Sequence, residues 1–224
     1  MRLVLASASP RRAELLCAAG YDFDVVPADV DESVRNGEAA AMYVRRLAAE
    51  KSAAAMGRIA REEAGLQSCP TSDHRTAVAN RADLVVLGAD TAVVVDDRIL
   101  GKPSDAADAE GMLRLLSGRA HAVLTGVSLR RGACELGRVV STRVQFAPLS
   151  SGDISWYLAS GEGFDKAGGY AIQGLASRFV TSIEGSYSNV VGLPIAAVHA
   201  LFTLIASGPA SGYSEEQISP RKSL

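Results

Sequence analysis

The sequence predicts a mixed α/β protein. Three observations carry this. An apolar run at Leu3, Val4 and Leu5 leads through a tight turn into an amphipathic helix. A fully apolar run from Leu84 to Leu87 has the pattern of a central strand. Two alternating segments, His121 to Leu129 and Arg138 to Phe146, have the period of an antiparallel pair.

The elements follow in order. In the first helix Ser9 suits the N-cap and Pro10 the first helical position, where a missing N–H costs nothing. Ala13, Leu15, Leu16 and Ala19 form its apolar stripe, and Gly20 ends it. Phe23 to Val26 is a second short strand, followed by an acidic loop from Pro27 to Ser33. Helical periodicity resumes from Ala39 to Met56, with Val44, Leu47, Ala48, Lys51 and Ala55 on one face. Residues 57–82 read as an insertion: a helix extension, then a turn-rich mobile loop.

Asp83 to Val95 is the strongest strand signal, interrupted by a kink at Gly88-Ala-Asp-Thr91 that places Asp90 at a strand end. A turn at Asp96-Asp97 and a return strand at Ile99-Leu100 complete a hairpin, and Gly101-Lys-Pro103 stops it. Helices are expected at Ser104 to Ser117 and Asp153 to Ala159, a glycine-rich loop at 161–174, and a strand at Phe179 to Ser182. The Gly185 to Gly192 loop then leads into an apolar helix ending near Ala206. The domain is expected to span 1–207, and residues 208–224, rich in Gly, Ser and Pro, are expected to be a disordered tail.

Composition excludes several classes. The 224 residues are 48% hydrophobic and 21% charged, ordinary for a soluble globular chain. A net charge of −2 gives no bulk attraction to nucleic acid or an anionic membrane, so neither partner is expected and any anion site must be local. No apolar run reaches membrane-spanning length and the N-terminus lacks the marks of a signal peptide. Cys17, Cys69 and Cys134 show no ligand spacing, which suits free thiols in the cytoplasm. His74, His121 and His199 are scattered, giving little support to a histidine-based metal site or triad.

The chemistry gathers at polar positions beside strand ends and glycines. Arg11 and Arg12 fall in a first helical turn, where free N–H groups and the macrodipole favour negative charge. Either they are solvated surface arginines or they help to hold an anion. Lys51 on an apolar stripe is either a snorkelling lysine or one reaching into a cleft. Asp90 is either a cap or turn former or a functional carboxylate. With Ser7, Ser9, Glu32, Thr91, Lys102, Asp165, Lys166 and Gln173 they form a pool of five cations and a few carboxylates. That pool suits a polyphosphate with a divalent metal, since Mg²⁺ takes one or two carboxylates plus phosphate oxygens. Neither a P-loop nor a Rossmann fingerprint is present.

Five blocks in order, Ala6-Ser-Ala-Ser-Pro-Arg-Arg12, Gly88-Ala-Asp-Thr91, Gly101-Lys-Pro103, Asp165-Lys-Ala-Gly-Gly-Tyr-Ala-Ile-Gln-Gly174 and Gly185-Ser-Tyr-Ser-Asn-Val-Val-Gly-Leu-Pro194, resemble the Maf family of nucleoside triphosphate pyrophosphatases. The resemblance implies a fold like the inosine triphosphate pyrophosphatases, a long mixed sheet with two lobes around a cleft. It implies Mg²⁺- or Mn²⁺-dependent cleavage between the α and β phosphates, and a homodimer. By resemblance Asp90 is the proton acceptor, Arg12, Lys51, Lys102 and Lys166 are phosphate-side cations, and Glu32 lies near the metal, with Asp90 as its second carboxylate. Ser7 and Ser9 belong to the substrate side. Arg11, Thr91 and Gln173 are similar to the branch that takes dTTP and UTP. Two other roles stay open: a nucleotide-binding regulator of septum formation with little turnover, and a housecleaning enzyme for modified pyrimidine nucleotides.

Overall fold

One long strand organises the molecule. In the computed structural model, which describes residues 1–66 and 83–207, β3 (Leu84–Val95) runs unbroken for 12 residues. It lies between β1 (Arg2–Leu5) and β5 (Ala120–Arg131) in a seven-stranded mixed sheet. The strand order is β2-β1-β3-β5-β6-β7, where β2 is Phe23–Val25, β6 Cys134–Phe146 and β7 Val180–Glu184; β4 (Arg98–Leu100) pairs with β3. The pairs β1–β2 and β1–β3 are parallel, and the others are antiparallel.

The expected kink at Gly88 is corrected. The register stays continuous from Val86 opposite Arg130 to Val94 opposite Ala122. Gly88 instead admits a helix. A Cβ there would stand 2.1 Å from the Ala48 carbonyl oxygen, and one at Gly126 of β5 2.2 Å from that of Val44. Both carbonyls belong to α2 (Ala40–Leu66), which therefore lies with its backbone directly on the sheet. Its buried stripe is the expected one, Val44, Leu47, Ala48, Lys51 and Ala55. The helix runs ten residues past Met56, so the expected extension is present as far as Leu66; the expected loop and the expected C-terminal tail lie outside the described residues.

The opposite face of β3 packs two clusters. Val85, Leu87 and Ala89 meet Leu16 of α1 (Pro10–Ala18) and Val198 and Leu201 of α6 (Ile195–Ala206). Val93 and Val95 meet Met112 and Leu113 of α3 (Ala106–Leu116) and Tyr157 of α4 (Ser151–Ala159). Alternation along the strand thus feeds two cores on one face, with Thr91 between them. On the edge of β3 facing away from β5, β1 pairs as far as Leu87 and β4 pairs only from Val93. Residues 88–92 have no strand partner on that edge among the described residues, and the site lies in this gap.

Local details differ in small ways. Pro10 is the first residue of α1 and Gly20 follows it at φ 79°, but the Ser9 side chain makes no capping bond. The Gly185 to Gly192 segment contains a five-residue helix, α5 (Tyr187–Val191), capped by Ser186. Helix α4 has a full capping box between Ser150 and Asp153.

Candidate active site

A cleft of about 910 Å³ opens at the gap in the sheet. It is lined by Ser7, Ser9, Arg11 and Arg12 from the turn after β1 and from α1, and by Glu32 and Lys51 from the acidic loop and α2. Asp90 and Thr91 come from β3, Lys102 from the end of the hairpin, and Asp165, Lys166 and Gln173 from the glycine-rich loop. Every position singled out in the sequence therefore reaches one cavity.

Its centre is a lysine between two carboxylates. Lys51 Nζ lies 2.7 Å from Asp90 Oδ1 and 2.6 Å from Glu32 Oε1. Lys51 and Asp90 are each 7% exposed, while the Glu32 side chain is half-exposed. The contact follows from the close approach of α2: Ala48 sits over Gly88, and one turn on Lys51 meets Asp90, two residues from Gly88 on the same face. The two acids respond in opposite directions. Burial pushes the Asp90 carboxyl up, more than Lys51 and Arg12 pull it down. At Glu32 burial acts upward too, but the hydrogen bond and charge of Lys51, with Lys102 and Arg12, bring it below the usual range. One site thus holds a carboxylate of raised proton affinity beside one that stays ionised, a pattern typical of acid–base centres.

Arg12 does more than await an anion. Its Nε donates to the Gly192 carbonyl at 2.9 Å, Nη1 to Ser7 Oγ at 3.0 Å and Nη2 to Thr91 Oγ1 at 3.1 Å. It ties α1, β3 and the end of α5 together, and burial pushes it below the ordinary guanidinium value against the pull of Asp90 and Glu32. A guanidinium has five N–H groups, so two remain for a ligand. Thr91 Oγ1 also meets Thr125 Oγ1 at 3.0 Å, which places the Thr91 hydroxyl inside this tie. Among the described residues Arg11 makes no such bond; it is half-buried, and burial pushes it below the ordinary guanidinium value against the pull of the Glu162 and Glu14 carboxylates. Lys166 contacts Asp165, and the Gln173 amide has no hydrogen-bond partner among the described residues.

Sequence reasoning missed the residues that hold the others. Tyr43 lines the cleft and donates to the Glu32 carbonyl at 3.0 Å. Arg46 donates to the Ser33 carbonyl at 3.0 Å and to both oxygens of Glu38, fixing the same loop. Asn189, fully buried, donates to the Val123 carbonyl and Thr142 Oγ1 and seats α5 on the sheet. The spacing of Tyr43 and Arg46 along α2 was visible, but their partners on the acidic loop were not.

The donor set suits one divalent ion. Glu32 and Asp90 already converge on a single cationic nitrogen. Among the described residues no group of three or more His, Cys, Asp or Glu side chains comes together, so phosphate oxygens would complete the shell. Among the described residues no helix is long and apolar enough to cross a membrane.

Comparison with known proteins follows the same line. The chain is similar to the dTTP/UTP pyrophosphatase of Anaeromyxobacter sp. (strain Fw109-5), 49% identical, covering 94% of this chain and 97% of that one. It is 50% identical to the dTTP/UTP pyrophosphatase of Anaeromyxobacter dehalogenans (strain 2CP-C), covering 89% and 92%. Against the dTTP/UTP pyrophosphatase of Shewanella oneidensis identity is 47%, covering 91% and 97%. A looser likeness to the solved structure of the Staphylococcus aureus Ham1 protein has a TM-score of 0.37 at 14% identity over 66% of this chain and 72% of that one. The model of the Maf-like proteins matches residues 2–205, and the chain belongs to the Maf family.

Proposed function

We propose that this protein hydrolyses dTTP and UTP to the nucleoside monophosphate and pyrophosphate. The observation that carries the reading is the buried Asp90, of raised proton affinity, paired with Lys51 in a cleft lined by four further cations: Arg11, Arg12, Lys102 and Lys166. Relatives about half identical over nearly the whole chain bear that activity as their name.

In the proposed reaction Asp90 accepts a proton from water as the water oxygen bonds to the α-phosphorus. The bond from that phosphorus to the bridging oxygen breaks, and its electron pair leaves with pyrophosphate. Lys102 and Lys166 neutralise the departing charge and the two unused N–H groups of Arg12 bind phosphate oxygen. Lys51, freed from a carboxylate, is within the same cleft to do likewise. Glu32 and Asp90 would hold Mg²⁺ or Mn²⁺, which supplies charge neutralisation on the triphosphate when bound. Gln173 offers an amide donor and acceptor to the carbonyl and N–H edge of a pyrimidine. A cytoplasmic location and a homodimer belong to the same proposal; the exposed free thiols of Cys17 and Cys134 fit a reducing compartment.

The test is pyrophosphate and monophosphate release from dTTP, UTP, CTP, dGTP and modified pyrimidine nucleotides with each metal, ranked by kcat/KM. Preference for dTTP and UTP supports the reading. A modified nucleotide ranked far above both makes housecleaning the role, and binding without product favours a regulator.

A further inference from the structure

Gln173 is bracketed. Two residues before it, the Ala171 N–H donates to the Tyr157 hydroxyl at 3.1 Å; two residues after it, the Leu175 N–H donates to Glu162 Oε2 at 2.9 Å. The two anchors are joined, because the Tyr157 hydroxyl donates to Glu162 Oε1 at 3.0 Å. The Glu162 carboxylate also lies against the backbone at Gly174, where a Cβ would come within 2.0 Å of Oε2. Tyr157 is fully buried in the core, so the pair gives the loop a fixed base. The Glu162 carboxylate also acts on the Arg11 guanidinium.

We propose that Tyr157 and Glu162 are positioning residues for nucleobase selection, holding the loop that carries Gln173. Neither lies among the phosphate-side cations. The proposal rests on the dTTP/UTP reading above. A selector amide must be held in place to discriminate, since a mobile one pays ordering entropy on each binding event. The two backbone N–H groups satisfied here are the fixed points of that loop, and removing an acceptor releases one of them.

The test uses Glu162→Gln and Tyr157→Phe in the full chain, with Gln173→Ala and the double variant Glu162→Gln/Gln173→Ala. Folding is checked by thermal melting. Glu162→Gln keeps the shape but loses an acceptor. The preference for UTP over CTP, as a kcat/KM ratio, is expected to fall about tenfold in Glu162→Gln and Tyr157→Phe, the weight of one net hydrogen bond. The change should lie in the KM for UTP, with kcat within about twofold, since uniform binding energy is what is lost. In the Gln173→Ala background Glu162→Gln should add nothing, because coupled residues are non-additive. A folded Glu162→Gln protein that keeps the wild-type ratio overturns the inference. So does an equal loss for both nucleotides, or a full Glu162→Gln effect in the Gln173→Ala background. Wild-type protein without preference for UTP overturns the functional reading instead.

Discussion

The Lys51 ammonium and the Asp90 carboxylate meet at 2.7 Å in a buried pair that joins α2 to the stretch of β3 that has a strand partner on one edge alone among the described residues. Removing one partner of such a pair leaves the other as an uncompensated buried charge. Lys51→Met is therefore expected to destabilise the protein by about 3 kcal/mol, read as a lower denaturation midpoint at unchanged slope.

The same substitution makes a prediction about pH. Burial already raises the Asp90 carboxyl, and Lys51 is the largest force opposing that rise. A base must be deprotonated to act, so kcat/KM of the wild type should climb with pH through a value above the ordinary Asp range of about 3.9. Without Lys51 the carboxylate loses a favourable neighbour and its pKa rises again. The acid limb of the residual activity should move to higher pH, as measured by log kcat/KM against pH.

Gly88 and Gly126 should tolerate no side chain. At both, the first atom met by a Cβ is a backbone carbonyl of α2. Backbone cannot rotate away as a side chain can, and overpacking of this kind costs about 3 kcal/mol. Gly88→Ala and Gly126→Ala should each lower the melting temperature sharply, whereas Gly111→Ala, in open space on α3, should raise stability by about 0.5 kcal/mol.

Much of the fold could be read along the chain, and the errors have a common cause. The strands at 3–5, 121–129 and 138–146, the apolar run at 84–87 and the stripe of α2 follow from local period. A glycine within a strand marks either a bend or a close approach, and local pattern at Gly88 does not separate the two. Only the position of α2 decides which, and that is a tertiary fact. Helix α5 was missed because five residues carry no period, while the capping box of Ser150 and Asp153 was present in the sequence and passed over. The site residues were legible as types with a common ligand chemistry. Their supports, Tyr43, Arg46, Tyr157 and Glu162, were not, because each acts through a backbone group whose position the fold supplies.

The neighbouring arginines should separate by stability as well as by activity. Arg12 donates to three acceptors on three segments, and a lysine cannot serve all three. Arg12→Lys should cost about 2 kcal/mol and lower kcat/KM for every nucleotide alike. Arg11→Lys should leave the melting temperature nearly unchanged, and Arg11→Trp should alter nucleotide preference more than folding.

His121 should make the stability of the protein fall in mild acid. It is buried against Phe146, its Nε2 is 2.7 Å from the Tyr170 hydroxyl, and its Nδ1 has no partner among the described residues. Burial pushes it from 6.5 down to about 4. The unfolded chain therefore takes up a proton first as pH falls, and stability contributed by the neutral ring is lost between about 6.5 and 4. The full loss is about 3 kcal/mol at one pKa unit per 1.36 kcal/mol. His121→Gln, which keeps a partner for Tyr170, should flatten this part of the curve of unfolding free energy against pH.

The most direct measurement of the central claim is pyrophosphate release by Asp90→Asn. Asparagine keeps the size of the side chain and an oxygen for Lys51, which retains Glu32 at 2.6 Å as its charged partner, but it cannot take a proton from water. The melting temperature should stay close to that of the wild type, and kcat for dTTP and UTP should fall by about 10³-fold, within the range for loss of a general base. A folded Asp90→Asn protein that releases pyrophosphate at near the wild-type rate would contradict the account.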